Sequence, residues 1–300
     1  MLSPAPPGSS VSAPNGHLAG VRLVVVGAGA MAEAIVGGLL ARGLVSPDQV
    51  TCTHPRSSRR EELERRLGVR VGADNRAAAA LADLLVISVK PQVLRRVMPE
   101  LKGAILPDTL VLSIVAGASS RVLGEGLGHP AVVRAMPNTP AQIGAGMTVW
   151  YPTPEVDEVG RQRTRQLLGA LGEELEVEDE EQVAMATAVS GTGPTYTLLF
   201  IESLVDAAVH LGFPRHLARQ LVLSTVQGSA AFAAQSQRHV SELRDMVTSP
   251  GGTSAEALAA LERGRFRTVL ADAVWAAYHR TRQLEQALDR GVPAGPPQPR

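Results

Sequence analysis

The residues best suited to do chemistry lie in glycine-rich turns. Gly27-Ala28-Gly29-Ala30-Met31-Ala32 follows an apolar run and opens a helical pattern. In such a GxGxxA turn the first glycine permits a tight bend, the second lets a pyrophosphate approach the backbone, and Ala32 keeps the helix close to its strand. Standing first in a strand–helix array, it favours dinucleotide binding over an ordinary glycine turn. A second turn, Val247-Thr248-Ser249-Pro250-Gly251-Gly252-Thr253-Ser254, runs into an apolar-periodic helix at residues 255–261. Ser249, Thr253 and Ser254 supply hydroxyls, and Gly251 and Gly252 leave amides unobstructed at a helix start. Together they make a carboxylate receptor with donors and no titratable base. The plainer alternative is an N-capped turn between helices, with Thr253 or Ser254 as the cap ahead of Glu256. Ser190-Gly191-Thr192-Gly193-Pro194 is another glycine-rich helix start with the same two readings.

Further candidates stand at the ends of expected strands. In His54-Pro55-Arg56-Ser57-Ser58-Arg59-Arg60 no acid occurs until Glu61. Enzymes that use NAD place an acid here on the ribose hydroxyl, whereas Arg56, Ser57 and Arg59 suit a 2'-phosphate. NADPH is therefore favoured, with NADH as the alternative; a basic solvated turn is the other reading. Lys90, one of two lysines with Lys102, follows a strongly apolar strand in Val89-Lys90-Pro91-Gln92. Ala116-Gly117 and Met136-Pro137-Asn138 occupy the same strand edge, where open α/β sheets bind ligands. The seven histidines show no metal-ligand spacing and no GxSxG elbow is present, so no metal and no serine nucleophile are expected.

Positioning these turns requires a sheet. Short β-branched runs at residues 21–27, 50–54, 69–71, 83–89, 109–116, 131–136, 147–150 and 174–177 alternate with helical segments, the pattern of βαβ units and a parallel, doubly wound sheet. From about residue 180 the pattern is helical. In one segment Glu202, Asp206 and His210 form the polar stripe of an otherwise apolar helix. Such a helix needs burial on most sides, and about 110 residues offer little interior, so a partner subunit is the expected cover. The fold class is α/β: an N-terminal Rossmann-like doubly wound sheet at 21–178, then an all-helical dimerisation and substrate domain at 179–290. Residues 1–20 and 291–300 read as disordered extensions.

Composition excludes other classes. The 300 residues carry 29 Lys+Arg against 29 Asp+Glu, and only 3% are aromatic, so neither a nucleic-acid surface nor a stacking platform is expected. The single cysteine, Cys52, fits a reducing compartment. With neither a signal-peptide pattern nor an apolar run long enough to span a bilayer, a cytoplasmic protein without membrane attachment is expected.

GAGAMA at 27–32, VKPQ at 89–92, RAMPNTP at 134–140, VSGTGPTY at 189–196 and VTSPGGTSAEAL at 247–258 occur in this order. With this set the chain resembles the pyrroline-5-carboxylate reductase family over residues 21–288, and the last block is the most specific. The resemblance implies NAD(P)H-dependent reduction of a small cyclic imine to L-proline, the last step of proline biosynthesis. It implies that Gly27, Gly29, Ala30 and Met31 form the dinucleotide loop, that His54 and Arg56 lie on the adenosine side, and that Asn75 contacts the cofactor. Val89, Lys90, Pro91, Ala116 and Gly117 correspond to the nicotinamide wall. Ser249, Gly251, Gly252, Thr253 and Ser254 correspond to the loop for the carboxylate and ring nitrogen, with Ser254 as the catalytic contact. A homodimer is implied, and a higher assembly of dimers stays open.

The sequence departs from the family pattern at Ser254, where Thr is usual, at Thr192 and Thr195, where Ser and Ala are common, and at Val240, where Pro is usual. These changes bear on substrate stringency. Two other enzyme readings are a related cyclic imine reductase and a β-hydroxyacid-type dehydrogenase; the latter needs a base, typically a lysine in the helical domain, which has none. A non-catalytic NADPH sensor is the alternative outside catalysis.

Overall fold

The computed structural model describes residues 16–290. Its first part alternates strand and helix: β1 (Leu23–Val26), α1 (Ala30–Ala41), β2 (Val50–Thr53), α2 (Ser57–Leu67), β3 (Arg70–Gly72), α3 (Asn75–Ala79), β4 (Leu84–Ile87), α4 (Pro91–Leu101), β5 (Leu110–Ser113), α5 (Ser120–Leu127) and β6 (Val132–Met136). Then follow β7 (Gly146–Pro152), α6 (Glu158–Gly169), β8 (Gly172–Glu176) and α7 (Glu181–Ala186). Five further helices complete the described residues: α8 (Gly193–His210), α9 (Arg215–Gln235), α10 (Val240–Met246), α11 (Thr253–Arg263) and α12 (Phe266–Asp289).

The eight strands form one sheet in the order β3-β2-β1-β4-β5-β6-β7-β8. β1 lies between β2 and β4, parallel to both, with Leu23 paired to Val50 and Leu84. Its continuous apolar run follows from cover on both faces. Leu23 and Val25 enter a core with Ile35, Leu63, Trp150 and Leu167, from α1, α2, β7 and α6. Val24 and Val26 point the other way, to Ala79, Leu94, Leu101 and Leu123 of α3, α4 and α5. Alternation along a single strand thus fixes two helical layers.

The sheet is mixed, which corrects the expected parallel arrangement: β7 runs antiparallel to β6. Only a short 3-10 turn, Thr139–Ile143, joins them, and a parallel return needs a crossover of a dozen residues or more. The expected N-terminal extension also ends earlier than residue 20. Leu18 is 1% exposed and packs in the core, with its N–H donating to Gln166 at 3.1 Å and its carbonyl accepting from Gln49 at 3.1 Å. Residues 1–15 and the expected tail at 291–300 lie outside the described residues.

The chain divides into two compact units, one running to Gly191 and resuming at Tyr278, the other Thr192–Ala277. The sequence placed this boundary at 178/179 and gave everything to 290 to the helical part. The structure instead assigns α7 and the end of α12 to the sheet. Val183 of α7 packs on Val149 and Val177, and Leu288 of α12 joins the core beside α4 and α5. Within Thr192–Ala277 the buried cluster is small, centred on Val205, Ala218 and Val222. Leu198, Leu199, Leu211, Val269 and Trp275 stay exposed there, Leu211 at 82%. Among the described residues no helix is long and apolar enough to cross a membrane.

His129 gives this fold a pH signature. It is buried after α5, with Nε2 donating to the Thr109 carbonyl at 2.6 Å. Burial holds its pKa below the ordinary 6.5, so the unfolded chain takes up a proton more readily than the folded one. Its contribution is complete above about pH 6.5 and is lost as pH falls below that value. His129→Gln is expected to reduce the loss of urea resistance between pH 7 and pH 5; equal losses in the two proteins would remove this account.

Candidate active site

Because β1, β2, β4, β5 and β6 are parallel, their C-terminal ends share one edge. The turn after β1 lies where the chain order reverses between β1 and β4, the crevice position of such sheets. Gly27 adopts φ 90°, and a Cβ there would meet Val89 Cγ1 at 2.5 Å and the Ser88 carbonyl oxygen at 2.8 Å. Only glycine fits that bend. Gly29 is the N-cap of α1 and has no side-chain cap bond; a Cβ on it would meet nothing within 4 Å. The first glycine serves the turn, and the second leaves open space before the amides of Ala30 and Met31. This cradle fits a pyrophosphate.

The basic turn after β2 divides by partner. Arg59 is committed to the protein: it donates to the Ala28 carbonyl at 3.1 Å and pairs with Glu33 at 2.5 Å and Glu62 at 2.8 Å. Arg60 donates to the carbonyls of His54 and Pro55, both at 2.8 Å. Arg56, the N-cap of α2, is exposed and its guanidinium has no partner among the described residues. Of the two arginines read from sequence as phosphate ligands, Arg59 is therefore corrected to a brace between α1 and α2. His54 Nδ1 accepts the Arg56 N–H at 3.2 Å; burial, helped by the neighbouring arginines, lowers its pKa and keeps it a neutral acceptor.

Asn75 begins α3, accepting from Thr53 Oγ1 at 2.6 Å and donating to Glu100 at 2.7 Å. Lys90 is the exposed N-cap of α4, with Pro91 in its first turn. Gly117, at φ 77°, is buried where a Cβ would lie 2.9 Å from Leu284 Cβ. Val89 and Ala116 are half-buried nearby in sequence. Asn138 reaches the Ser190 carbonyl at 3.2 Å and accepts from Met147 N–H at 2.9 Å, fixing the loop after β6. The serine hydroxyl of Ser190 turns back onto Ala186 at 3.0 Å, within a π-helical turn, so it serves the chain locally.

In the helical unit, Gly251 turns the backbone at φ 71° and the Gly252 N–H donates to the Ser249 carbonyl at 3.0 Å. The N-cap of α11 is Gly252, and no side chain caps the helix. Neither Thr253 nor Ser254 fills the capping role expected of it. Ala255 and Glu256 bond the Gly252 carbonyl, which leaves the Thr253 and Ser254 amides facing outward from the first turn. The hydroxyls of Ser249, Thr253 and Ser254 have no partner among the described residues. This surface combines free helix amides with free hydroxyls and carries no titratable base. Among the described residues no group of His, Cys, Asp and Glu is placed to hold a metal ion.

Known proteins carry the same arrangement of segments. A family model for pyrroline-5-carboxylate reductase dimerisation matches residues 180–284, and one described as NADP oxidoreductase, coenzyme F420-dependent, matches residues 22–117. Pyrroline-5-carboxylate reductase from Synechocystis sp. is 40% identical over 264 residues, covering 88% of this chain and 98% of the relative. The chain belongs to the pyrroline-5-carboxylate reductase family. The Escherichia coli pyrroline-5-carboxylate reductase is 35% identical and covers 87% of this chain and 97% of its own. A Coxiella burnetii pyrroline-5-carboxylate reductase structure superposes with TM-score 0.81 at 34% identity, covering 88% of this chain and 98% of that one. The Plasmodium falciparum pyrroline carboxylate reductase, solved with NADP bound, also has TM-score 0.81, at 30% identity and with the same coverage. Family membership thus spans both units.

Proposed function

We propose that the chain is an NAD(P)H-dependent oxidoreductase that reduces L-1-pyrroline-5-carboxylate to L-proline, the last step of proline biosynthesis. The observation that carries this reading on the substrate side is the uncapped start of α11, where free amides and three free hydroxyls meet. Gly251, Gly252, Ser249 and Thr253 hold the carboxylate, and the Ser254 hydroxyl contacts the ring nitrogen. No acid or base is required of the chain, because a protonated imine is already an electrophile and the site mainly orients it. The helical unit accordingly has no lysine, the base a hydroxyacid dehydrogenase needs.

When bound, NADPH supplies the hydride that C5 of the imine receives. Gly27 and Gly29 with the Ala30 and Met31 amides hold its pyrophosphate, and His54 and Asn75 flank the adenosine side. Val89, Lys90, Pro91, Ala116 and Gly117 wall the nicotinamide side. Arg56, the unpaired cation of the β2 turn, selects the 2'-phosphate. Arg56→Glu is expected to raise the Kd for NADPH at least tenfold while changing that for NADH little, measured by cofactor fluorescence titration; equal changes for both would remove Arg56 from cofactor choice.

The exposed apolar residues of Thr192–Ala277 support a homodimer built through this unit, and the protein acts in the cytoplasm. The test of the function is to supply purified protein with NADPH and L-1-pyrroline-5-carboxylate. Loss of NADPH absorbance with one L-proline formed per NADPH is expected. No imine-dependent loss would overturn the assignment.

A further inference from the structure

Gly117 is buried although it stands in a turn at the ligand-binding edge of the sheet. The chain leaves β5 after the Ile114 N–H donates to the Ile87 carbonyl at 3.0 Å, and the turn closes where the Ala118 N–H donates to the Val115 carbonyl at 3.2 Å. Gly117, its third residue, has φ 77°, the left-handed value that favours glycine at that place. A Cβ on it would lie 2.9 Å from Leu284 Cβ and 3.3 Å from both the Leu284 carbonyl carbon and the Glu285 nitrogen. All three atoms belong to α12, and two are backbone, which cannot swing aside. Glycine therefore lets α12 rest directly on the turn, with Ala116 half-buried beside it.

The end of α12 is fixed in that seat from several sides. Arg95 of α4 donates to the carbonyls of Ala287 and Leu288, the second at 3.4 Å, which sets a cation on the last turn of the helix. Arg121 of α5 pairs with Asp289 at 3.0 Å, and Arg134 of β6 with Glu285 at 2.5 Å. Leu288, 8% exposed, joins Leu94, Val115 and Val122 in the core. Residues 278–289 and the turn after β5 belong to the same compact unit.

The place of this seat along the sheet connects it to the cofactor. With the pyrophosphate at the turn after β1 and the adenosine half over β2, the other half of a dinucleotide extends towards β4 and β5. The Lys90-Pro91 and Ala116-Gly117 turns follow those two strands, and α4 and α5, which start there, are the helices that grip α12.

We infer that Leu284 is a positioning residue for the cofactor: resting on Gly117, it holds the Ala116-Gly117 turn in the shape that receives the nicotinamide half. The inference rests on the cofactor placement in the proposed function and concerns the sheet-containing unit alone. Coupling of this kind is reciprocal, so a ligand that touches the turn must hold the end of α12 in its seat by the same factor.

Leu284→Gly removes the Cβ that rests on the turn and leaves Leu288 and its core contacts in place, so the protein is expected to fold. The Kd for NADPH should rise about tenfold, while that for 2'-phospho-ADP-ribose, the same molecule without the nicotinamide, should change less than about twofold. Leu284→Met keeps the Cβ and should hold both Kd values within about twofold of the wild type. Arg95→Ala removes an exposed side chain and loosens the last turn from a distance, so it should raise the NADPH Kd about threefold with the same selectivity. In the wild type, NADPH should slow hydrogen exchange at residues 285–289 about fivefold more than 2'-phospho-ADP-ribose does, with each at the same multiple of its Kd. An unchanged NADPH Kd in Leu284→Gly, equal rises for both ligands, or equal protection of residues 285–289 by both, would overturn the inference. A wild type that binds NADPH yet leaves the imine unreduced would instead overturn the proposed reaction, and the binding comparisons would still decide the seat.

Discussion

Gly252→Val is expected to raise the KM for L-1-pyrroline-5-carboxylate about a hundredfold or more while leaving the NADPH Kd nearly unchanged and lowering the melting temperature by a few degrees at most. The backbone there is extended, with φ −81° and ψ 168°, so a β-branched residue is tolerated locally. The new Cβ, however, would lie 2.6 Å from Ser249 Oγ and 3.1 Å from the Ser249 carbonyl oxygen. Rotating the Ser249 hydroxyl away relieves the first contact at little cost and removes a donor from the turn. The added methyls also cover the Thr253 and Ser254 amides. Losing two hydrogen bonds to a carboxylate, about 1.5–3 kcal/mol each, corresponds to the stated rise in KM. Steady-state kinetics beside a cofactor titration separates this from a folding defect. An unchanged KM would dismiss the turn as the carboxylate receptor.

Ser254→Ala carries the second large effect. Ser254 is half-buried in the first turn of α11 with a hydroxyl unused by any cap. A hydroxyl held on the ring nitrogen of a charged imine contributes about 1.5–3 kcal/mol, so kcat/KM should fall about ten- to hundredfold. Ser254→Thr should retain most of the activity, since it keeps the hydroxyl and adds a methyl that restricts its rotamer. Wild-type kinetics in Ser254→Ala would end the nitrogen-contact role, and a Thr variant as poor as the Ala variant would assign the loss to packing.

The strands and their order along the chain were legible, because a run such as Leu23–Val26 is apolar on both alternating faces and few arrangements bury both. The antiparallel direction of β7 was legible as well, because the expected strands at 131–136 and 147–150 leave a connection too short for a parallel crossover, and the all-parallel expectation ran against that spacing. The capping of α11 went the other way from local preference. Serine and threonine at its start read as caps, yet the left-handed turn at Gly251 begins the helix one residue earlier, at Gly252. That shift frees the hydroxyls and makes the turn a binding surface.

Ion pairs set another limit. Arg56, Arg59 and Arg60 are equivalent in sequence; the packing of α1 against α2 engages Arg59, Arg60 folds back onto the His54 and Pro55 carbonyls, and Arg56 is left as the free cation. Arg134 and Glu285 are 151 residues apart, and no local periodicity joins them. The same holds for the unit boundary: helical pattern tells that α7 and the end of α12 are helices, while Val183 and Leu288 decide which core they join.

The claim that an uncapped helix start holds the substrate carboxylate is tested most directly by comparing L-1-pyrroline-5-carboxylate with 1-pyrroline, the same ring without the carboxylate. The wild type should favour the carboxylate by at least a hundredfold in kcat/KM, and Gly252→Val should depress turnover of 1-pyrroline little further. Equal kcat/KM for the two imines in the wild type would contradict the account.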